Sequence, residues 1–428
     1  MPLPPGPTAH PAIQLVRWIR RPIDYLEACR RRYGETFTGR FAGGETIVIT
    51  SEPAVIKAAL AQRATLSDSR RTMLEPVMGP RSVLLAPDGA HHLERRKLIL
   101  PAFRGERMRV YEALVEELAA VEVESWPLGE PFETYDRMRA LTREIMLRVL
   151  FGIEDPERQR RLRRLVDALF TKVNRPHRPI RALLTRQLGV LTEDQEFIAL
   201  RGEADALVKE EIAARRSSPD LERREDILSL LLCARFEDGS AMDDDDLRDQ
   251  LFTLLHAGNE PSAAGLAWAF NLVLGHPEAA RLIGEQGDDY AQAVARETLR
   301  IRPPILGVGR ELGAPARLNG SELARGTKTM LCAYMAHTRP DLHPDPYEFK
   351  PERFLDRTPP AHAWFPFGGG NRRCIGASLA ELQMRVTLRT MFARAKLRRA
   401  TEKPEKVKLM NVILAPRSGS PVVLEARR

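Results

Sequence analysis

Cysteine is scarce in this chain of 428 residues: Cys29, Cys233, Cys332 and Cys374 lie far apart, with no C-x-x-C pair. That spacing argues against a disulfide framework and a structural zinc site, and fits a reducing compartment. Long hydrophobic runs are missing too, none approaching the ~18 or more apolar residues of a membrane span. The N-terminus, Met1-Pro-Leu-Pro-Pro-Gly-Pro, leads into a short apolar segment interrupted by Arg17, unlike a signal peptide, so a cytoplasmic location is expected. There are no internal repeats and no low-complexity tail. Charge is not one-sided: 66 basic against 58 acidic residues leave +8, carried mostly by arginines spread along the chain. Without a basic tail, nucleic acid is a poor partner. Diffuse positive charge suits steering of an acidic protein partner, or simply reflects an arginine-rich composition.

What is present is globular, with 43% apolar and 29% charged residues and length enough for one large domain or two or three ordinary ones. Taken in order, a short helix over 23–32 precedes a β-hairpin of 36–40 and 46–49, and Pro53 opens a helix through Leu60. Residues 67–87 have no clear period but carry apolar side chains among Gly and Pro, the profile of a binding loop. Apolar spacing of i, i+3, i+4 predicts helices over 89–100, 106–125, 136–150, 156–172, 193–215 and 226–234, with 175–191 as a loop. Another helix over 290–300 ends before Pro303-Pro304. Strand-like pieces at 306–312 and 328–334, an irregular stretch over 337–366, and a final β-pair of 408–414 with 421–424 complete the chain.

Two stretches stand out. Asp243–Asp246 reads as the capped start of a helix reaching about Gly275, nearly all apolar after Phe252, as in a helix running through a core. Inside it lies Ala257-Gly-Asn-Glu-Pro-Ser262, which breaks the local rules: glycine weakens the helix, and proline removes the bond to the Ala257 carbonyl. The second stretch is Phe367-Gly-Gly-Gly-Asn-Arg-Arg-Cys-Ile-Gly376, followed by an amphipathic pattern at Leu379, Leu382, Met384, Leu388 and Met391. A cysteine ahead of a helix N-terminus meets partial positive charge and unpaired N–H donors, both of which favour a thiolate, while glycines let backbone approach a bulky ligand. A glycine turn around a buried thiol is the plainer alternative.

Taken together, these pieces resemble the cytochrome P-450 superfamily of heme-thiolate monooxygenases, soluble bacterial type, over nearly the whole chain. The motif F-x-x-G-x-R-x-C-x-G is matched at Phe367, Gly370, Arg372, Cys374 and Gly376; Glu297-Thr-Leu-Arg300 matches E-x-x-R, and Pro351-Glu-Arg-Phe354 the later arginine element. The resemblance implies a mainly α fold with small β-sheets and heme b (iron protoporphyrin IX) between the long distal helix and the cysteine loop. It implies a single domain over 1–428, β-rich at about 35–50 and 305–335 and helical at about 88–300 and 376–395. Cys374 would be the iron ligand, within a cofactor loop that includes Gly368. His92 (with His91 as rival), Arg96, Arg310 and Arg372 would bind heme propionates, and Glu297, Arg300 and Arg353 would form a structural network. Substrate contacts would come from Val83, Leu84, Thr253, Ala257, Ile305 and Leu306.

The resemblance also implies chemistry: one oxygen atom of O2 inserted into a hydrophobic molecule such as a fatty acid or terpene. Electrons would come from NAD(P)H through ferredoxin reductase and ferredoxin, since no flavin domain is fused. The chain departs from the family's acid–alcohol pair, having Glu260 followed by Pro261 where a threonine is usual. Ser262, next door, points about 100° further round the helix. His256, one turn before Glu260, is a candidate for the proton relay or substrate contact. Pro261 keeps a peroxygenase or isomerase open as an alternative, although these often replace the acid that Glu260 retains. A non-catalytic heme sensor is the alternative from another class.

Overall fold

The computed structural model describes residues 3–41, 44–61, 74–86, 89–153, 155–173, 195–318 and 321–428. In chain order the helices are α1 (Pro11–Arg20), α2 (Pro22–Tyr33), α3 (Pro53–Ala61), α4 (Ala90–Ile99), α5 (Arg107–Glu124), α6 (Thr134–Phe151) and α7 (Pro156–Val173). There follow α8 (Gln195–Arg216), α9 (Ile227–Cys233), α10 (Asp244–Val273), α11 (Pro277–Gln286), α12 (Asp288–Ile301), α13 (Ala333–His337) and α14 (Ala377–Arg394). The strands are β1 (Thr36–Phe41), β2 (Glu45–Thr50), β3 (Pro131–Glu133), β4 (Gly307–Glu311), β5 (Ala316–Leu318), β6 (Ser321–Leu323), β7 (Lys328–Cys332), β8 (Ala395–Arg399), β9 (Val407–Met410), β10 (Ile413–Pro416) and β11 (Pro421–Arg427). The fold is mainly helical with small sheets.

Local chemistry sets many of these boundaries. Asp243 caps α10 by accepting from the Asp246 N–H at 2.8 Å, and Asp226 caps α9 by accepting from the Ser229 N–H at 2.9 Å. Gly34, at φ 84°, ends α2. α10 continues unbroken through Pro261.

The chain forms two compact units. One comprises 1–67, 112–141 and 261–428; the other comprises 68–111 and 142–260. α10 thus gives its first half to one unit and its second half to the other, and the division does not follow the β-rich and helical regions expected from sequence.

In the first unit a four-stranded sheet has the order β1-β2-β7-β4, with β2 and β7 parallel and the other pairs antiparallel. One core gathers Val48, Ile56, Leu331, Ala336 and Phe365; a second gathers Tyr25, Phe37, Ile49, Leu306 and Leu414. Phe270 of α10 stacks on Phe392 of α14 at 5.2 Å between ring centres, and Trp268 donates to the Leu414 carbonyl at 3.0 Å. The second unit packs α7, α8 and α9 with parts of α6 and α10. There the buried Arg215 guanidinium reaches Asp226 (2.5 Å), Ser229 (2.8 Å) and the Phe151 carbonyl (2.7 Å).

Some sequence expectations need correction. The expected final β-pair does not form. β9 and β10 make their own hairpin across Asn411, at φ 54°, while β11 pairs with β8 and β3. The strand expected over 328–334 ends at Cys332, where the chain turns into α13. Helices α1 and α11 were not expected. Residues 74–78, within the segment expected to be irregular, form a helical turn. The loop expected over 175–191 and residues 67–73 of the binding loop lie outside the described residues.

Candidate active site

The cysteine loop is closed by its own backbone. The Gly368 N–H donates to Phe365 O (2.9 Å), Arg373 N–H to Gly370 O (3.1 Å) and Cys374 N–H to Phe367 O (2.9 Å), before Gly376 O accepts the first bond of α14 from Ala380 (2.9 Å). Gly368 (φ 66°) and Gly370 (φ 63°) adopt backbone that side-chain-bearing residues resist, and a Cβ on Gly370 would fall 2.2 Å from the Leu60 carbonyl oxygen. The loop packs that closely on α3.

Burial separates the four cysteines chemically. Desolvation raises the buried Cys29 thiol to about 11 and the buried Cys332 thiol to about 12, so both remain protonated. Cys233 is exposed but is the last residue of α9, with no helix N-terminus following it. Cys374 alone is exposed and also precedes a helix N-terminus. No disulfide forms among the four.

Behind the loop lies a buried ion network. Glu297 and Arg300, both 0% exposed, pair through two bonds of 2.7 and 2.8 Å. The other three guanidinium N–H groups reach the carbonyls of His337 (2.8 Å), Pro346 (2.6 Å) and Glu348 (3.1 Å), so all five donors are used. Lys350 N–H donates to Glu297 at 2.9 Å, and the Arg353 Nε lies 3.5 Å from the same carboxylate oxygen. His337 carries the connection onward: its Nε2 accepts from the Phe365 N–H at 2.9 Å, one step before Pro366-Phe367. Burial holds His337 well below the usual imidazole range, so Nε2 is kept as an acceptor. Sequence reading missed this residue; the signal available was a histidine closing the run Tyr334-Met-Ala-His337.

Arg310 is also in this unit. Its side chain is buried and reaches the carbonyls of Gly309 (2.8 Å) and Gly369 (3.5 Å) at the loop. Arg372 and Phe367 are half-buried, as is Ile305, which bridges Ile413, whereas Leu306 is buried in the second core. Pro261 is half-buried and Ser262 buried.

The remaining candidates belong to the second unit. On α4, His92 is buried and Arg96 half-buried, while His91 is exposed beside Arg95 at 3.3 Å. Arg95 donates to Asp246 at 2.8 Å. On α10, Glu260 and Thr253 are buried, Ala257 is exposed, and the half-buried His256 ring meets Phe170 edge-on at 5.0 Å. Asn259 is anchored by Thr142 at 2.7 Å, and a Cβ on Gly258 would meet Met146 at 2.7 Å. Val83 is buried and Leu84 exposed.

The sequence pattern of the family described as Cytochrome P-450 matches residues 4–422. The chain belongs to the cytochrome P-450 family. A Mycobacterium tuberculosis protein provisionally named cytochrome P-450 135B1 is 37% identical over 443 residues, covering 100% of this chain and 92% of the relative. Another from that organism, provisionally named cytochrome P-450 138, is 33% identical over 404 residues, covering 93% and 90%. Among solved structures, retinoic-acid-bound cyanobacterial CYP120A1 matches with a TM-score of 0.84 at 22% identity over 100% of both chains. The cytochrome P450DA heme domain matches at 0.86 and 21%, over 100% of this chain and 98% of that one. These two share the fold of this P-450.

Heme is the family's cofactor, and the family's members are generally heme-thiolate monooxygenases. The donor set fits: this P-450 has one exposed thiol ahead of a helix N-terminus, in a loop overlooked by the buried Arg310. Among the described residues no helix is long and apolar enough to cross a membrane.

Proposed function

We propose that this P-450 inserts one oxygen atom from O2 into a hydrophobic small molecule, a fatty acid, terpene or similar, with electrons from NAD(P)H through ferredoxin reductase and ferredoxin. The observation that carries this reading is Cys374, exposed in a backbone-closed loop at the start of α14. Ligated there by the thiolate, heme b supplies the activation of O2, which thiolate donation to iron favours.

The chain's own residues do the rest. Arg310, Arg372, His92 and Arg96 bind the two propionates; the guanidinium fork suits a carboxylate, and buried carboxylates need such partners. Glu260 holds a proton on the buried stretch of α10 and passes it on through ordered water. Pro261 has no N–H, so the Ala257 carbonyl loses its helical donor and accepts from such a water instead. This replaces the hydroxyl usual at that position. His256, packed on Phe170, helps shape that site. Leu84, Ala257 and Ile305 touch substrate, while Val83, Thr253 and Leu306, whose side chains are buried, shape the surface behind them. Arg373, exposed beside Cys374, belongs to the surface that meets an acidic ferredoxin.

A second reading, peroxide-driven or isomerising chemistry, is favoured by Pro261. Turnover of lipophilic compounds with a surrogate ferredoxin pair, and separately with hydrogen peroxide, decides between them. The expected result is faster reductant-driven turnover, slowed about 10²-fold or more in Glu260→Ala with peroxide-driven turnover spared. Equal losses in both assays refute the relay. Peroxide-only activity selects the second reading, and no turnover in either assay leaves a heme sensor.

A further inference from the structure

Helix α1 buries a glutamine and exposes aliphatic side chains, the reverse of the usual amphipathic pattern. Its inward side is set by Gln14, 1% exposed, whose amide has every donor and acceptor used. The amide nitrogen donates to the carbonyls of Pro7 (3.1 Å) and Ala9 (2.8 Å). The amide oxygen accepts from the Tyr25 hydroxyl (3.1 Å) and the Arg40 N–H (3.2 Å). One turn on, Trp18 packs on the same side, edge-on to Tyr25 at 6.0 Å and tilted against Phe41 at 5.9 Å between ring centres. These contacts fix the rotation of the helix about its own axis. Its start is fixed as well: the His10 ring accepts from the Ala12 N–H at 3.3 Å, and Pro11 takes the first position.

With Gln14 and Trp18 turned inward, Ile13 and Val16 are left 48% and 50% exposed. Arg17 and Arg20 are exposed beside them, and among the described residues neither has an ion-pair partner. At 100° per residue, these four side chains fall within about 100° of the helix circumference. α1 contains no acidic residue. Its outer face therefore combines aliphatic surface with uncompensated positive charge.

We propose that α1 is an interfacial helix that seats this P-450 on an anionic lipid bilayer, with Ile13 and Val16 entering the headgroup–acyl boundary and Arg17 and Arg20 meeting lipid phosphates. Charge and apolarity together select this occupant. An acidic protein surface would satisfy the arginines without needing the aliphatic side chains, and a two-fold contact with a second copy would set arginine against arginine. An anionic bilayer meets both. With 10 residues α1 is too short to cross the membrane and lies on it. The helix is already folded and rotationally fixed, so binding has no helix-forming cost. Each arginine near an anionic surface strengthens binding about fivefold, as does burying the remaining half of each aliphatic side chain. The attachment is therefore reversible and salt-sensitive. It also holds the P-450 where hydrophobic molecules concentrate, a consequence that rests on the substrate reading above and that the test does not use.

The test uses the full heme-loaded protein and vesicles of phosphatidylcholine, alone or mixed in equal parts with phosphatidylglycerol. The expected result is co-sedimentation with the mixed vesicles, little with phosphatidylcholine alone, and release at about 1 M salt, where the Debye length falls to about 3 Å. Arg17→Gln/Arg20→Gln and Ile13→Ser/Val16→Ser should each raise Kd for the mixed vesicles about 25-fold. Both should keep the reduced carbon monoxide spectrum of the wild type, which checks their folding. Val16→Trp should add fluorescence that shifts to the blue on mixed vesicles and is quenched by brominated acyl chains, a signal that arginine contacts alone do not produce. A wild-type protein that stays in solution overturns the proposal, as does binding that both double variants retain. Loss in the arginine variant alone, with no blue shift in Val16→Trp, leaves a purely electrostatic contact and overturns the interfacial seating. Dimerisation without vesicle binding, abolished in Ile13→Ser/Val16→Ser, replaces the bilayer with a second copy of the chain.

Discussion

Arg300→Met tests the buried network behind the cysteine loop. Arg300 is fully buried and spends all five donors, two on Glu297 and three on the carbonyls of His337, Pro346 and Glu348. Methionine fills similar volume but leaves the Glu297 carboxylate buried, with only the Lys350 N–H and the more distant Arg353 as cationic or donor neighbours. Removing one partner of a buried pair costs about 3–5 kcal/mol, a large share of the ~5–15 kcal/mol that holds an ordinary domain. The folded-to-unfolded ratio should fall on the order of a hundred- to several-thousand-fold. Urea unfolding followed by tryptophan fluorescence measures this, with Trp364 hydrogen-bonded to the Arg296 carbonyl close by. The decisive comparison is Glu297→Met/Arg300→Met. With the stranded charge gone, the double variant should be more stable than Arg300→Met alone, because partners in one network are not additive. A single-variant loss below about 1 kcal/mol, or a double variant equal to the sum of the two singles, would refute the reasoning.

Three further perturbations follow. His337 is held neutral by burial, so its stabilisation is complete above the ordinary imidazole range and declines as pH falls below about 6.5, by ~1.4 kcal/mol per pH unit until its own depressed value is reached. His337→Gln, which keeps an acceptor for Phe365 N–H, should flatten urea midpoints between pH 7 and 5; an unchanged slope would assign the acid sensitivity elsewhere. Gly370→Ala should lower the fraction of protein giving a thiolate-type spectrum on reduction with carbon monoxide, since its Cβ meets a backbone oxygen of Leu60 at 2.2 Å. Gly369→Ala meets only the Leu60 side chain at 2.9 Å, so it should be milder and rescued by Leu60→Ala; equal defects would contradict the assignment. Pro261→Thr should raise the share of electrons ending in product rather than peroxide, measured as product formed per NADPH consumed. An unchanged or lower share would mean that the alcohol is not limiting.

The local sequence determined much of this protein by itself. Phe367–Gly376 carried its chemistry in consecutive residues, because a thiol ahead of a helix N-terminus and glycines at positive φ are local properties. The cap at Asp243 and the acid at Glu260 were legible for the same reason. α11 was harder to see: Pro277–Gln286 lies in the short interval between two strong helical patterns, and its start lacks a side-chain cap bond. The pairing of β11 was beyond reach, because it skips the adjacent β9–β10 hairpin to join Ala395–Arg399 on one side and, on the other, Pro131–Glu133 from far earlier in the chain. Only tertiary structure could decide which buried polar groups meet. Asp249, Gln250 and Thr253 form a polar stripe on an apolar helix, which the sequence displays, but their partners at 79–83 lie about 170 residues earlier in the chain. His337 becomes a support of the cysteine loop only because Arg300 binds its carbonyl while Phe365 binds its ring. A side chain's own chemistry is written locally. Desolvation and pairing, which decide what that chemistry does, depend on neighbours that only folding supplies.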